Sequence, residues 1–141
     1  MFRLPQSQLS QLQKLQNSAA RIVTLTRRIT HITPVLSSLH WLPVESCIVL
    51  KLLLLVFHCI HGSAPEYNIN LLLLYKPSRC LRSSDSNLRT VPKTKKLWED
   101  RSFAHAGPYL WNQLPQGIHC IPSIDCFKNA LKTHVFKSAL Q

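Results

Sequence analysis

Glycine is scarce in this chain, with 3 among 141 residues. That excludes a Gly-rich phosphate loop, whether a dinucleotide fingerprint or a P-loop. Acidic residues are scarce as well, with 6 Asp+Glu against 17 Lys+Arg. Metal-dependent catalysis needs carboxylates that converge, and only Glu99 and Asp100 are neighbours. Adjacent side chains diverge by about 100° on a helix and oppose each other on a strand. With Lys95, Lys96 and Arg101 beside them, the two acids form a surface ion-pair cluster rather than a two-metal site. No G-x-S-x-G elbow and no C-x-x-C pair occurs, which removes the hydrolase elbow, the zinc ribbon and the dithiol redox site. The N-terminus has no apolar h-region, so no secretion signal is expected. The most apolar run, residues 47–57, contains Lys51. Even extended to Ile60 it falls short of the roughly 20 residues a spanning helix needs, so a buried core helix is expected and no transmembrane segment.

What is present is positive charge. The formal net charge is +11 and the pI about 9.9, beside an ordinary hydrophobic fraction of 45%. Such an excess favours a polyanionic partner, either nucleic acid or an anionic membrane surface. The five cysteines (Cys47, Cys59, Cys80, Cys120 and Cys126) are odd in number and irregularly spaced. All five are expected reduced, placing the chain inside the cell, in nucleus or cytoplasm, and not secreted.

Residues 7–29 carry a helical period. Leu9, Leu12, Leu15, Ala19, Ile22 and Leu25 recur at intervals of three and four and form one apolar stripe, expected to face the protein. Lys14, Arg21 and Arg28 recur every seven residues and form a second, basic stripe, with no acid before Glu45 to neutralise it. Thr33-Pro34 reads as an N-cap and first position of a short helix over 34–40. Pro43 opens a longer helix with Glu45 in its first turn, where the dipole favours an anion. Gly62 is placed to end it in the left-handed conformation. That helix is apolar nearly all round, as buried helices are. Ser63-Ala64-Pro65 restarts a helix expected to run through the leucines 71–74 until Pro77.

The composition changes at residue 76. Between 76 and 101 stand Lys76, Arg79, Arg82, Arg89, Lys93, Lys95, Lys96 and Arg101 against Asp85, Glu99 and Asp100, and helical periodicity disappears. Trp98, Phe103, Tyr109 and Trp111 stand beside these cations, with Gly107-Pro108 expected to make a turn or helix start. Cations neutralise phosphates and aromatic faces stack on unpaired bases, although large aromatics more often serve burial. A last helix begins at Ser123 and buries Ile124, Phe127, Leu131 and Val135. His58 and His61, with Cys59 between them, lack a second ligand pair at zinc spacing. They are better placed to complement a helix C-terminus. The expected fold is therefore mainly α, with several amphipathic or buried helices and a short extended or β-like basic segment around 78–106. Its two stretches are a helical 1–75 and a 76–141 made of basic segment, aromatic turn and C-terminal helix. The candidate nucleic-acid-binding residues are Lys14, Arg21, Arg28, Arg82, Arg89, Lys93, Lys95, Lys96 and Arg101. No catalytic residue, metal or cofactor is assigned.

The residues themselves carry a resemblance. The run Leu12-Gln13-Lys14-Leu15-Gln16-Asn17-Ser18-Ala19-Ala20-Arg21 resembles the segment just after the polymerase region in reverse transcriptases of non-LTR (LINE-type) retrotransposons. Further blocks fit the same tails in the same order: His31-Ile32-Thr33-Pro34 with Leu39-His40-Trp41-Leu42-Pro43-Val44, then His61-Gly62-Ser63-Ala64-Pro65-Glu66-Tyr67. Arg101-Ser102-Phe103 and Ala106-Gly107-Pro108-Tyr109-Leu110-Trp111-Asn112-Gln113-Leu114-Pro115 follow, and Phe127-Lys128-Asn129-Ala130-Leu131-Lys132-Thr133-His134 closes the series. The resemblance covers about residues 9–140. It implies a C-terminal tail that helps hold template RNA or target DNA, alongside the polymerase body of the parent element. Such enzymes carry a Tyr/Phe-Ala-Asp-Asp palm motif, and no Asp-Asp occurs here, so no catalytic residue carries over. Asn68-Ile69-Asn70 and Trp98-Glu99-Asp100 also depart from the family pattern, as in a degenerate copy. The alternatives are a basic amphipathic protein lying on anionic membranes through residues 52–57, or an open reading frame without function of its own.

Overall fold

Proline and charge placement set the helix boundaries. Pro43 precedes a helix over Val44–Ile60, Glu45 sits in its first turn, and Gly62 leaves it at φ +69°. The computed structural model describes residues 4–75, 87–96 and 98–140. Among these the chain is mainly α, with seven α-helices: α1 Gln6–Thr24, α2 Ile32–Ser38, α3 Val44–Ile60, α4 Glu66–Ile69, α5 Phe103–Asn112, α6 Gln116–His119 and α7 Ile124–Leu140. A single 3-10 turn spans Glu99–Arg101.

The apolar character of α3 is resolved by packing on two sides. It lies against α5 and α7, and meets α1 near its start and α4 near its end. Leu53, Val56, Phe57 and Cys59 of α3 close a core with Leu110 and Trp111 of α5 and with Phe127, Leu131 and Val135 of α7. Leu42, Leu72 and Leu114 complete it from the connections. The core thus draws on both the 1–75 and the 76–141 stretches. Residues 52–57, the expected membrane-facing run, are taken up by it. Leu53, Val56 and Phe57 are buried, and Leu52, Leu54 and Leu55 are half-buried against them.

Four local expectations are corrected. First, α1 ends at Thr24 rather than at 29, because Leu25 turns into the left-handed region at φ 52° and its N–H closes on the carbonyls of Arg21 and Ile22. The β-branched run Ile22-Val23-Thr24 lowers helix propensity just there. Second, α2 starts at Ile32, two residues early, so Pro34 occupies its third position. A first-turn N–H has no intrahelical acceptor, and proline is tolerated there. Third, α4 stops at Ile69, and the chain turns through Asn70 and Leu71 before Leu73 and Leu74 pair with a distant segment. Leu74 bridges Arg89 in antiparallel fashion: the N–H of Tyr75 donates to the Leu88 carbonyl (3.0 Å) and that of Thr90 to the Leu73 carbonyl (2.8 Å). Fourth, Gly107-Pro108 lies inside α5 and makes no turn. A residue before proline avoids helical geometry chiefly because its Cβ and N–H meet the proline ring, and Gly107 has no Cβ.

The fifth correction concerns which way α1 faces. Of the predicted apolar stripe only Leu9 is buried; Leu15 is 69% and Ile22 74% exposed. The inward face is instead Gln13, Gln16 and Ala20. The reason is backbone hydrogen bonding. Pro43, before α3, offers no side-chain cap. Gln13 Oε1 accepts from the N–H of Val44 (2.9 Å), and Gln16 Nε2 donates to the Leu42 carbonyl (2.8 Å). A helix terminus must find such partners somewhere, and here another helix supplies them. Ala20 lets α1 approach Val35 and Leu36 of α2 in a second small core. Gln13→Leu is therefore expected to destabilise by about 1–3 kcal/mol through the unpaired Val44 N–H. Leu15→Ala, on the outer face, should change stability by no more than about 0.5 kcal/mol. Urea unfolding of the two variants checks the order, and the reverse order would restore the apolar-inward reading.

Candidate nucleic-acid interface

Lys14 and Arg21 stand two helical turns apart on α1, and Arg28 lies beyond the helix end. The turn after α1 brings the third cation to the other two. The Thr26 N–H donates to the Arg21 carbonyl (3.1 Å), and Arg21 Nη1 donates to the Arg27 carbonyl (2.8 Å). The chain therefore folds back, and Lys14, Arg21 and Arg28 line one open groove of about 910 Å³. Asn17, Ser18 and Thr26 supply amide and hydroxyl groups to the same groove, and Ile22 and Leu25 its apolar side. Lys14 and Arg28 are exposed, while Arg21 is half-buried. Three cations with hydroxyl and amide donors between them suit a chain of phosphates, which takes charge and hydrogen bonds from such groups without regard to sequence.

The second basic cluster is divided by its packing. Arg82 lies outside the described residues. Arg89 is anchored: its N–H donates to Asn112 Oδ1 (2.9 Å) and its carbonyl accepts from Asn112 Nδ2 (2.8 Å). Its guanidinium is half-buried, and desolvation lowers its pKa from the ordinary arginine value. Lys93, Lys95, Lys96 and Arg101 are exposed. Glu99 and Asp100 staple this segment. Glu99 Oε2 accepts from the Lys95 N–H (3.0 Å), and Asp100 Oδ1 accepts from the Thr94 hydroxyl.

The aromatics separate in the same way. Trp111 is 1% exposed, stacks on His119 at 4.9 Å between ring centroids, and donates its indole N–H to the Asn87 carbonyl (3.2 Å). Phe103 packs against the main core, and Tyr109 is half-buried. Trp98, three residues before Arg101, is 64% exposed and has Lys96 Nζ 5.7 Å from its ring centroid.

Among the described residues no three His, Cys, Asp or Glu side chains gather to hold a metal ion. His58 Nδ1 shares a hydrogen bond with the Ser63 hydroxyl (2.8 Å), and His61 Nδ1 donates to the Phe57 carbonyl (3.0 Å). Both histidines thus close the C-terminus of α3. His119, buried, donates from Nε2 to the Trp111 carbonyl (2.8 Å). Cys47, Cys59, Cys120 and Cys126 are free thiols, and Cys80 lies outside the described residues. Burial pushes the thiols of Cys47 and Cys59 above their ordinary pKa, with Lys51 partly opposing this at Cys47. No helix among the described residues is long and apolar enough to cross a membrane.

No protein-family model, curated protein or solved structure matches the chain. The site is accordingly argued on its own chemistry. Sequence periodicity placed Lys14, Arg21 and Arg28 on one expected helix face, and the helix ends before Arg28, which the turn after Thr24 brings to the groove. The exposed apolar line Leu12, Leu15, Ile22 and Val23 on α1 was not legible. Nor was the apolar groove of about 410 Å³ between α1 and α3, lined by Val44, Cys47, Ile48, Leu52 and Leu55 with Gln16 and Lys51. Periodicity identifies an apolar face but not which neighbour, if any, covers it.

Proposed function

We propose that the chain is a catalytically incomplete C-terminal part of a LINE-type retrotransposon reverse transcriptase and that it contributes a phosphate-binding surface for RNA or DNA. The observation that carries this reading is the groove shared by Lys14, Arg21 and Arg28, on a helix with no acid to neutralise it. The ordered sequence blocks support the origin, and no Asp-Asp pair in them offers polymerase metal ligands.

The test is a binding titration of the full chain against salt. Among the described residues no hydrogen bond or ion pair involves the Lys14 or Arg28 side chain, whereas the Arg21 side chain ties the turn. The Lys14→Ala/Arg28→Ala variant should therefore keep its melting curve. Its log–log salt slope should fall by about 1.4–1.8, since each phosphate neutralised is worth about 0.7 on single strands and 0.9 on duplex. An unchanged slope removes the groove from the interface, and no binding at about 50 mM salt removes the reading altogether.

One observation favours a second reading, adsorption to an anionic membrane. Leu12, Leu15, Ile22 and Val23 are exposed on α1 beside Lys14 and Arg21. Helices that lie in the bilayer interface pair such a face with flanking cations. In that case sedimentation with phosphatidylserine vesicles depends on Leu12 and Leu15, which are exposed and lie outside the groove of Lys14, Arg21 and Arg28.

A further inference from the structure

Trp98 is the exposed one of the three tryptophans. Trp111 is sealed in the core and Trp41 is half-buried against the small core of α1 and α2. Trp98 leaves 64% of its surface in water. Tryptophan has the largest apolar surface of any side chain and is highly buried on average, so an indole held out on a short turn calls for a ligand. Its surroundings say of what kind. Lys96 Nζ lies 5.7 Å from the ring centroid, and Lys93, Lys95 and Arg101 are exposed on the same short segment. Glu99 and Asp100 are half-buried and accept hydrogen bonds from the Lys95 N–H and the Thr94 hydroxyl. Their oxygens are thus engaged in shaping the turn, and the cations reach solvent.

An exposed indole with Lys96 beside its ring, on a segment that carries three further exposed cations, suits a base stacked on the ring with phosphates on the cations. Duplexes keep their base faces within the helical stack, so only unpaired nucleotides reach such a ring. We propose that Trp98 is a base-stacking platform and that the Lys93–Arg101 surface takes single-stranded rather than duplex nucleic acid. This rests on the reading of the chain as a nucleic-acid binder and names the form of ligand it takes.

The experiment compares the full chain with Trp98→Ala and Trp98→Phe. The ligands are an oligouridine of about 12 nucleotides, near the upper range of such sites, and a duplex of the same length. Wild type should bind the single strand more tightly, with its tryptophan emission quenched. Trp98→Ala should weaken single-strand binding by about 5- to 150-fold and leave duplex binding and the salt slope unchanged. Trp98→Phe should retain most of the affinity, since a second aromatic face replaces the first. All three proteins should melt alike, because the ring lies largely outside the core. If Trp98→Ala binds both ligands as wild type does, the stacking role is overturned while phosphate binding stands. If wild type binds neither ligand, the parent reading falls and the platform with it. An equal loss on single strand and duplex also overturns the proposal, since stacking on a base cannot produce it.

Discussion

Phe127→Ala is expected to lower the unfolding free energy by about 3–5 kcal/mol. The Phe127 ring is fully buried, stacks on Phe57 of α3 at 4.3 Å and meets Trp111 of α5 at 5.8 Å. One side chain of α7 therefore touches both helices that α3 and α5 bring to the centre. Truncation removes the ring's burial and also leaves a cavity, because neighbours as rigid as Phe57 and Trp111 collapse only partly into the space. Small domains hold about 5–15 kcal/mol in total, so this single change removes a large share. The midpoint should fall by about 10–25 °C in a thermal melt followed by circular dichroism. Lys128→Ala, one residue along on the exposed face, is the control and should shift little. A loss below about 1 kcal/mol for Phe127→Ala would show that α7 is not part of the core.

Gly107→Leu should be nearly as damaging, for the opposite reason. A Cβ at position 107 would stand 3.0 Å from Val56 Cγ2, 3.4 Å from Phe103 Cε2 and 3.5 Å from Leu72 Cδ2. Val56 is β-branched, fully buried and confined in χ1, so it yields little. The same Cβ meets the Pro108 ring that follows it in the helix. Overpacking of a full core costs about 1–3 kcal/mol and occasionally more, and three further carbons place Gly107→Leu at or above the top of that range. Gly107→Ala separates the terms. It gains about 1 kcal/mol of helix propensity and loses about 1–3 kcal/mol to the contact. Adding Val56→Ala should recover part of the loss, which a double-mutant cycle reads as coupling between α3 and α5. Zero coupling would mean that the two helices do not cross at this point.

These two positions differ in how legible they were. The α7 spacing of Ile124, Phe127, Leu131 and Val135 pointed inward from the sequence; the last three are buried and Ile124 is half-buried. The limits of α3 were also readable, from Pro43 and Gly62. Gly107-Pro108 misled, because the dipeptide is a turn signal unless a neighbour needs the space a missing Cβ leaves. Among candidate site residues, the seven-residue interval joined Lys14, Arg21 and Arg28 on one expected helix face, and the helix ends before Arg28. Arg28 reached the same groove only through the turn at Leu25. Arg89 was grouped with the exposed cations on composition, whereas the Asn112 carboxamide holds its backbone and most of its surface is covered.

The sequence by itself determined the helical class, the limits of α3 and the concentration of positive charge, because local periodicity, proline geometry and composition require no partner. Tertiary structure alone decided which face of α1 turns inward. The apolar line Leu12, Leu15 and Ile22 had the pattern of a core face, yet Gln13 and Gln16 won the contact. The unpaired N–H of Val44 and carbonyl of Leu42 needed partners at that place. A main-chain polar group left unpaired beside the core costs about 1–3 kcal/mol, comparable with the burial of one leucine. That balance is set by the start of α3, far along the chain, and no pattern within α1 contains it.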